Sequence, residues 1–254
     1  ALAALGVSEG DEVITTSMTD FGTTSAILAL HAVPVFADID LDTRLLSPES
    51  VREKITDRTR VIITVHMAGM PCDLDPFLAL SEETGIKILE DCAQAHFAQY
   101  QGQVVGSLGD IAGFSFGGKH LSAGGGGAVL TNNEVLWERA VLFSDAALPR
   151  DPGPYAGRPY ANYHLAPNYK LNPMMAAVIR VQLEKVDGYI AGKINAAHQI
   201  FEHLAAIDEI TPQRVRPGDR HTYWALRFTL DTKRLSCSAE EFAAAVSAEG
   251  VPAN

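Results

Sequence analysis

Residues 60–66, Arg-Val-Ile-Ile-Thr-Val-His, form a nearly unbroken β-branched run. Such a run suits a strand covered on both faces. Shorter strand-like stretches fall at 12–15, 34–39, 86–89, 111–116 and 128–131, and helix-length stretches at 21–31, 48–55, 74–84 and 134–143. Ser47 followed by Pro48 is a helix start, with an N-cap hydroxyl and proline at the first helical position. Gly85 supplies a C-cap for the stretch before it. Strand and helix alternate, which predicts an α/β fold with parallel βα units in a three-layer sheet. Ligands of such sheets sit beyond the carboxyl ends of the strands.

After residue 144 the pattern changes. Residues 149–167 are rich in Pro, Gly, Tyr and Asn and read as a long surface loop, a kind of segment that often carries function. Asn172 caps a helix over 173–186; helices near 195–206 and 239–249 then flank a strand near 222–230. The expected organisation is a large domain over 1–187 and the start of a smaller α/β domain over 188–254. The chain opens at Ala1-Leu2-Ala3-Ala4-Leu5, inside a helical pattern and without methionine, and stops just after another helical stretch. It therefore reads as part of a longer protein.

Composition narrows the chemistry. Lys and Arg total 20 against 31 Asp and Glu, a net charge of −11, which argues against a general nucleic-acid or acidic-membrane surface. A local basic pocket remains compatible with that balance. Three widely spaced cysteines without a CxxC pair suggest neither a zinc site nor a disulfide framework. No apolar run is long enough to span a membrane. A reduced, cytoplasmic setting is expected.

Two segments concentrate reactive groups. Glu90-Asp91-Cys92-Ala93-Gln94-Ala95-His96 follows a buried strand, and Phe114-Ser115-Phe116-Gly117-Gly118-Lys119-His120 lies between two strands and before four glycines, 124–127. A lysine alone beside glycines is usually a solvated loop residue. Enclosed in a tight turn between apolar strands, Lys119 would be desolvated, which favours the neutral amine needed for a Schiff base. Asp91 at a strand end reads either as a helix cap or surface ion pair, or as a carboxylate for a pyridinium nitrogen. Its neighbour Glu90 points to the opposite face by strand alternation and is read as structural. Gln94 reads equally as an exposed loop residue or as a partner for a ring hydroxyl. Ser115 and the glycine run carry little weight in isolation. His66 is expected to be a hydrogen-bonded strand-end residue, and His120 to line the pocket. Serine, histidine and aspartate are available for a triad, and spacing alone leaves that reading open.

In combination these segments resemble the DegT/StrS sugar aminotransferases, pyridoxal phosphate enzymes of fold type I. The resemblance runs through Gly10-Asp11-Glu12-Val13-Ile14, residues 34–40 (PVFADID), Val65-His66 with Gly69, residues 90–95 (EDCAQA), Gly106 to Phe116, Lys119 with Gly126-Gly127-Ala128, and Asn168-Tyr169-Lys170-Leu171. It implies that Lys119 carries the Schiff base and shuttles a proton. Asp91 would pair with the ring nitrogen, Gln94 would contact the ring hydroxyl and Ser115 would bind the phosphate. Asn168 would reach the phosphate of a neighbouring subunit, in a homodimer with shared sites. The implied reaction moves an amino group from glutamate or glutamine to a ketone on a nucleotide-linked sugar or a cyclitol. The family's upstream glycine-threonine phosphate turn is absent, and the spacing from Phe116 to Lys119 is one residue shorter than usual. Asp20, next to Phe21, holds the position where the family often stacks an aromatic on the cofactor ring. A sugar dehydratase of the same fold and a non-catalytic cofactor-binding regulator are the alternatives; the known dehydratase variant has histidine in place of the lysine, which is present here.

Overall fold

A computed structural model describes residues 1–146 and 166–252. Its centre is a six-stranded sheet built from β1 (Glu12–Thr16), β2 (Val33–Ala37), β3 (Thr59–Val65), β4 (Lys87–Asp91), β7 (Ile111–Ser115) and β8 (Gly127–Leu130). The order is β2-β1-β3-β4-β7-β8. All neighbours are parallel except β8, which runs antiparallel to β7. Two short strands, β5 (Gln99–Tyr100) and β6 (Gln103–Val104), form a separate antiparallel ribbon.

The β-branched run explains the layering. Along β3, Val61, Ile63 and Val65 enter one apolar cluster and Ile62 enters another. β4 divides likewise, with Leu89 on one side and Ile88 on the other. The first cluster takes in Ile27 of α1 (Phe21–Leu28) and Leu136 of α4 (Glu134–Ser144). The second takes in Val51 of α2 (Pro48–Lys54) and Phe77 and Leu80 of α3 (Asp75–Thr84). The sheet is therefore sandwiched between helices, the three-layer arrangement that the alternation predicts.

The helix-end signals are realised. Ser47 accepts a hydrogen bond from the Ser50 amide, with Pro48 at the first helical position. Gly85 closes α3 in a left-handed conformation, φ 78°, which costs glycine no steric penalty. Asn133 and Asn172 cap α4 and α5 (Pro173–Leu183).

Several expectations need correction. The opening residues form a turn closed by Leu5 N–H on the Ala1 carbonyl, not a helix. The helix expected near 195 begins nine residues earlier, as α6 (Val186–Leu204). The strand expected over 222–230 shrinks to β10 (Phe228–Leu230), antiparallel to β9 (Ile210–Pro212). Residues 222 and 224 instead donate their amides to the carbonyls of Gly69 and Ala68. Helix α7 (Ala239–Ala248) ends the described chain behind a Ser238–Glu241 capping box. The loop expected over 149–167 lies, up to residue 165, outside the described residues. No helix among the described residues is long and apolar enough to cross a membrane.

One buried carboxylate ties the sheet to its connections. Glu90 is fully buried and accepts hydrogen bonds from the amides of Gly106 (2.7 Å), Leu108 (2.8 Å) and Gly109 (2.7 Å). His66, also fully buried, meets it through Nε2 at 3.1 Å. The Cys72 amide donates to His66 Nδ1 at 2.9 Å, which leaves the ring proton on Nε2, facing Glu90. Both residues are structural, as expected. Burial alone would raise the Glu90 carboxyl; the His66 N–H and the amides of Gly109 and Gly106 outweigh it and hold the group below its ordinary range. The turn that delivers these amides needs glycine. Gly106 has φ +92°, and a Cβ there would come within 2.5 Å of the Phe114 ring.

Replacing Glu90 by Gln should cost about 3 kcal/mol in urea unfolding at neutral pH, because amide donors would lose a charged acceptor. A carboxyl that titrates lower in the folded than in the unfolded chain stabilises the fold at neutral pH, and this contribution drains as acidification passes the ordinary carboxylate range. E90Q should lose that part of the acid sensitivity. Equal stability of the two proteins would refute the structural role.

Candidate active site

The cleft lies at the carboxyl edge of the sheet. Asp91 is the last residue of β4 and Ser115 the last of β7, on the adjacent strand. Because Glu90 is turned inward, alternation sends Asp91 the other way. A cleft of about 1050 Å³ is lined by Asp20, Thr23, Asp91, Gln94, Ser115 and Lys119 among others. Five of the six residues singled out from sequence therefore meet around one space. The sixth, Asn168, is exposed and does not line it, although Tyr169, Lys170 and Leu171 do.

Asp91 is half-buried and held at both oxygens. The Thr23 hydroxyl donates to Oδ2 at 2.7 Å and the Ala93 amide to Oδ1 at 3.1 Å. Thr23 is 8% exposed and its hydroxyl also meets that of Thr19 at 2.8 Å. Sequence reasoning missed Thr23. Its only signal is a hydroxyl three residues past the cap of α1, which becomes meaningful once that helix is laid beside β4.

Gln94 is 5% exposed, so the loop reading fails. Its Oε1 accepts the Ala68 amide at 2.8 Å, which leaves its NH₂ group without a protein acceptor among the described residues. Ser115 is half-buried and its hydroxyl accepts the Gly117 amide at 3.2 Å. Asp20 is exposed and caps α1, accepting the Gly22 amide at 2.8 Å. Its side chain thus has a local structural task at the rim of the cleft, beside Phe21, which is 73% exposed.

Lys119 lines the cleft but is only half-buried, where sequence predicts enclosure. The turn 116–124 is open on one side because Gly117 and Gly118 are exposed. Its base packs through Phe116 and Leu121 against Ile179 of α5 and Val186 and Ile190 of α6. His120 does not line the cleft. It is buried behind the turn, with Nε2 2.9 Å from the Thr222 carbonyl.

Three buried histidines, His96, His120 and His221, lie behind the lysine turn. Burial, reinforced by His120, pushes His96 down to about 4 and His221 down to about 3. These rings are neutral spacers, His96 packed among Phe114, Phe116 and His120. On the far side, His66, Glu90 and Cys92 place ligand-type atoms within 4.8 Å of one another. The His66 and Glu90 lone pairs already serve the amides described above, and burial raises the Cys92 thiol to about 11, which favours its protonated form.

The set left facing the cleft is a doubly anchored carboxylate, an amide donor, a hydroxyl and a primary amine. That set fits a pyridine aldehyde bearing a phosphate: carboxylate for the ring nitrogen, amine for the aldehyde, and the spare Gln94 donors for a ring oxygen. A mostly parallel sheet with this site on its carboxyl edge defines a fold type I enzyme architecture.

Comparison with known proteins gives the family. The model of the DegT/DnrJ/EryC1/StrS aminotransferase family matches residues 1–254. The chain is 35% identical over 225 residues to GDP-perosamine synthase of Escherichia coli O157:H7, covering 88% of this chain and 60% of that protein. It is 37% identical over 257 residues to a putative L-glutamine:3-amino-2,3-dideoxy-scyllo-inosose aminotransferase of Streptomyces kanamyceticus, covering 99% and 60%. The solved aminotransferase from Psychrobacter cryohalolentis superposes with a TM-score of 0.91 at 31% identity, over 99% of this chain and 68% of that one. The chain belongs to the DegT/DnrJ/EryC1/StrS aminotransferase family, which is pyridoxal phosphate-dependent. It spans about 60% of the length of the curated relatives it matches.

Two outcomes follow from the geometry. A double-mutant cycle on Thr23→Val and Asp91→Asn should give a coupling of about 1.5 kcal/mol in urea unfolding; strict additivity would remove the Thr23 contact. In an NMR titration the His96 and His221 rings should stay neutral from pH 7 to pH 5. The unfolded chain binds these protons near pH ~6.5 and the folded chain does not, so their contribution is complete above that pH and lost below it. Titration of either ring near its ordinary value would contradict the packing.

Proposed function

We propose that the protein is a pyridoxal phosphate-dependent aminotransferase that moves an amino group from glutamate or glutamine to a ketone on a nucleotide-linked sugar or a cyclitol. The observation that carries this reading is the convergence of Asp91, Gln94, Ser115 and Lys119 on one cleft at the carboxyl edge of the sheet. The amino sugar in the name of the GDP-perosamine synthase and the cyclitol amino transfer in the name of the scyllo-inosose relative support the substrate class.

When bound, the cofactor supplies an aldehyde that takes up the amino group and a protonated ring that withdraws electrons from the reacting carbon. Lys119 would hold that aldehyde through Nζ, and with a donor amine in its place Nζ would serve as the base for the proton on the donor carbon and the acid that returns one. Asp91 keeps the ring nitrogen protonated, and Thr23 with the Ala93 amide holds the carboxylate still. Gln94 directs its NH₂ group to the ring oxygen and Ser115 donates to the phosphate. Asp20 sits at the rim of the cleft, and its charge would bear on which substrate is accepted.

The proposed organisation is a cofactor domain over 1–187 followed by the start of a second domain over 188–254. A homodimer completes the site, with Asn168 serving the phosphate of the neighbouring subunit. Exposed apolar residues beside the cleft, Phe21 (73%), Tyr169 (68%) and Met174 (78%), support a covered face there. His120, bonded to the Thr222 carbonyl behind the turn, is badly placed to act as the base of a dehydratase.

Borohydride reduction of the protein with pyridoxal phosphate should leave a pyridoxyl group on Lys119 in a peptide map. Glutamate or glutamine should convert the bound cofactor to its amine form, and Lys119→Ala should slow this by at least about 100-fold. An adduct elsewhere, or no conversion by any amino donor, would overturn the assignment.

A further inference from the structure

Lys119 touches one side chain that lies outside the cleft lining. Its Nζ sits 4.2 Å from the centroid of the Trp224 ring, 105 residues further along the chain. The same indole donates its N–H to the carbonyl of Gly118, the residue before the lysine, at 3.2 Å. Trp224 thus grips both the backbone of the lysine turn and the end of the lysine side chain.

The segment presenting Trp224 is fixed at several points. Its amide donates to the Ala68 carbonyl at 2.8 Å, and the Thr222 amide to the Gly69 carbonyl at 3.0 Å. The Thr222 carbonyl meets His120 Nε2 at 2.9 Å. Tyr223 between them adopts φ +47°, a conformation that costs a non-glycine residue energy and persists only where the surroundings enforce it. Its ring stacks on His221 at 3.8 Å between centroids, interplanar angle 10°. Ala68 is in turn the residue whose amide engages Gln94. One continuous set of contacts therefore links Gln94 to Lys119 through the segment around residue 224.

We infer that Trp224 is a positioning residue that holds the free amine of Lys119 whenever the lysine is not bonded to the cofactor. This rests on the cofactor reading of Lys119 above. To attach, the ammonium would give one proton to solvent, and its two remaining N–H hydrogens would leave with the aldehyde oxygen as water; a donor amine that replaces it at the same carbon would free it again, to be reprotonated from solvent. An aromatic face attracts the cationic free amine. The lysine nitrogen held at the cofactor loses that contact. A contact made by only one of two states shifts the balance toward that state. The indole therefore opposes attachment slightly and gives the displaced lysine a defined place from which to act.

The test is a titration with pyridoxal phosphate, trapped with borohydride and read as pyridoxyl-Lys119 by peptide mapping. In a Trp137→Phe background, Trp224 is replaced by a graded series of fluorinated tryptophans, which drain the ring face without changing its shape. Half-saturation should fall progressively, by about two- to fivefold across the series. Trp224→Leu should move it in the same direction. A flat series overturns the inference, and so does a shift to weaker attachment, which would mean Trp224 only supports the turn. If Lys119 stays unmodified in the unsubstituted protein, the cofactor reading falls and this inference falls with it; modification of Lys119 with a flat series removes this inference alone.

Discussion

The Glu90 carboxylate is the contact from which the site hangs. It is fully buried, yet the Gly106, Leu108 and Gly109 amides and the His66 ring meet it from two separate connections. A buried charge without such partners would cost several kcal/mol. With them it fixes the end of β4 in register and twist. Strand alternation does the rest: with Glu90 held inward, Asp91 must face the cleft. Two adjacent carboxylates thus receive opposite tasks from one backbone constraint.

The same logic extends outward in layers of decreasing burial. Glu90 and His66 are sealed in the core, while Gln94 and Thr23 are nearly buried and anchor on backbone or on Asp91. Lys119 is half-open on a turn whose base is packed and whose tip is exposed. Burial and anchoring thus decrease from the core carboxylate to the lysine turn. The neutral histidines behind the turn fit this arrangement, because they fill space without placing a further positive charge beside the amine.

How much of this was legible in the sequence depends on the range of the contact. The layers follow from the β-branched run at residues 60–66, and the helix limits from Ser47, Gly85 and Asn172, because those signals act within one turn of chain. The facing of Glu90 and Asp91 was also legible, since it needs only strand alternation. The lysine and carboxylate motifs identified the cleft through their resemblance to a family. The early start of α6 was hidden by Gly188 and Gly192, which lower helix propensity but are tolerated where Val186 and Ile190 pack. Thr23 and Trp224 were illegible for another reason. Their meaning arises only when β4 is laid beside α1, and when residue 224 returns to the turn at 118. His120 was misread because adjacency in sequence suggested a shared pocket, whereas consecutive residues of a tight turn point apart.

We propose that alternation at the end of β4 aims Asp91 at a pyridine nitrogen while Lys119 serves the aldehyde. A crystal structure of the protein with pyridoxal phosphate tests it most directly. The account predicts the ring nitrogen within hydrogen-bond distance of Asp91, the Thr23 contact retained, and continuous density from Lys119 Nζ to the cofactor. A cofactor seated with its ring nitrogen away from Asp91, or bonded to another lysine, would contradict it.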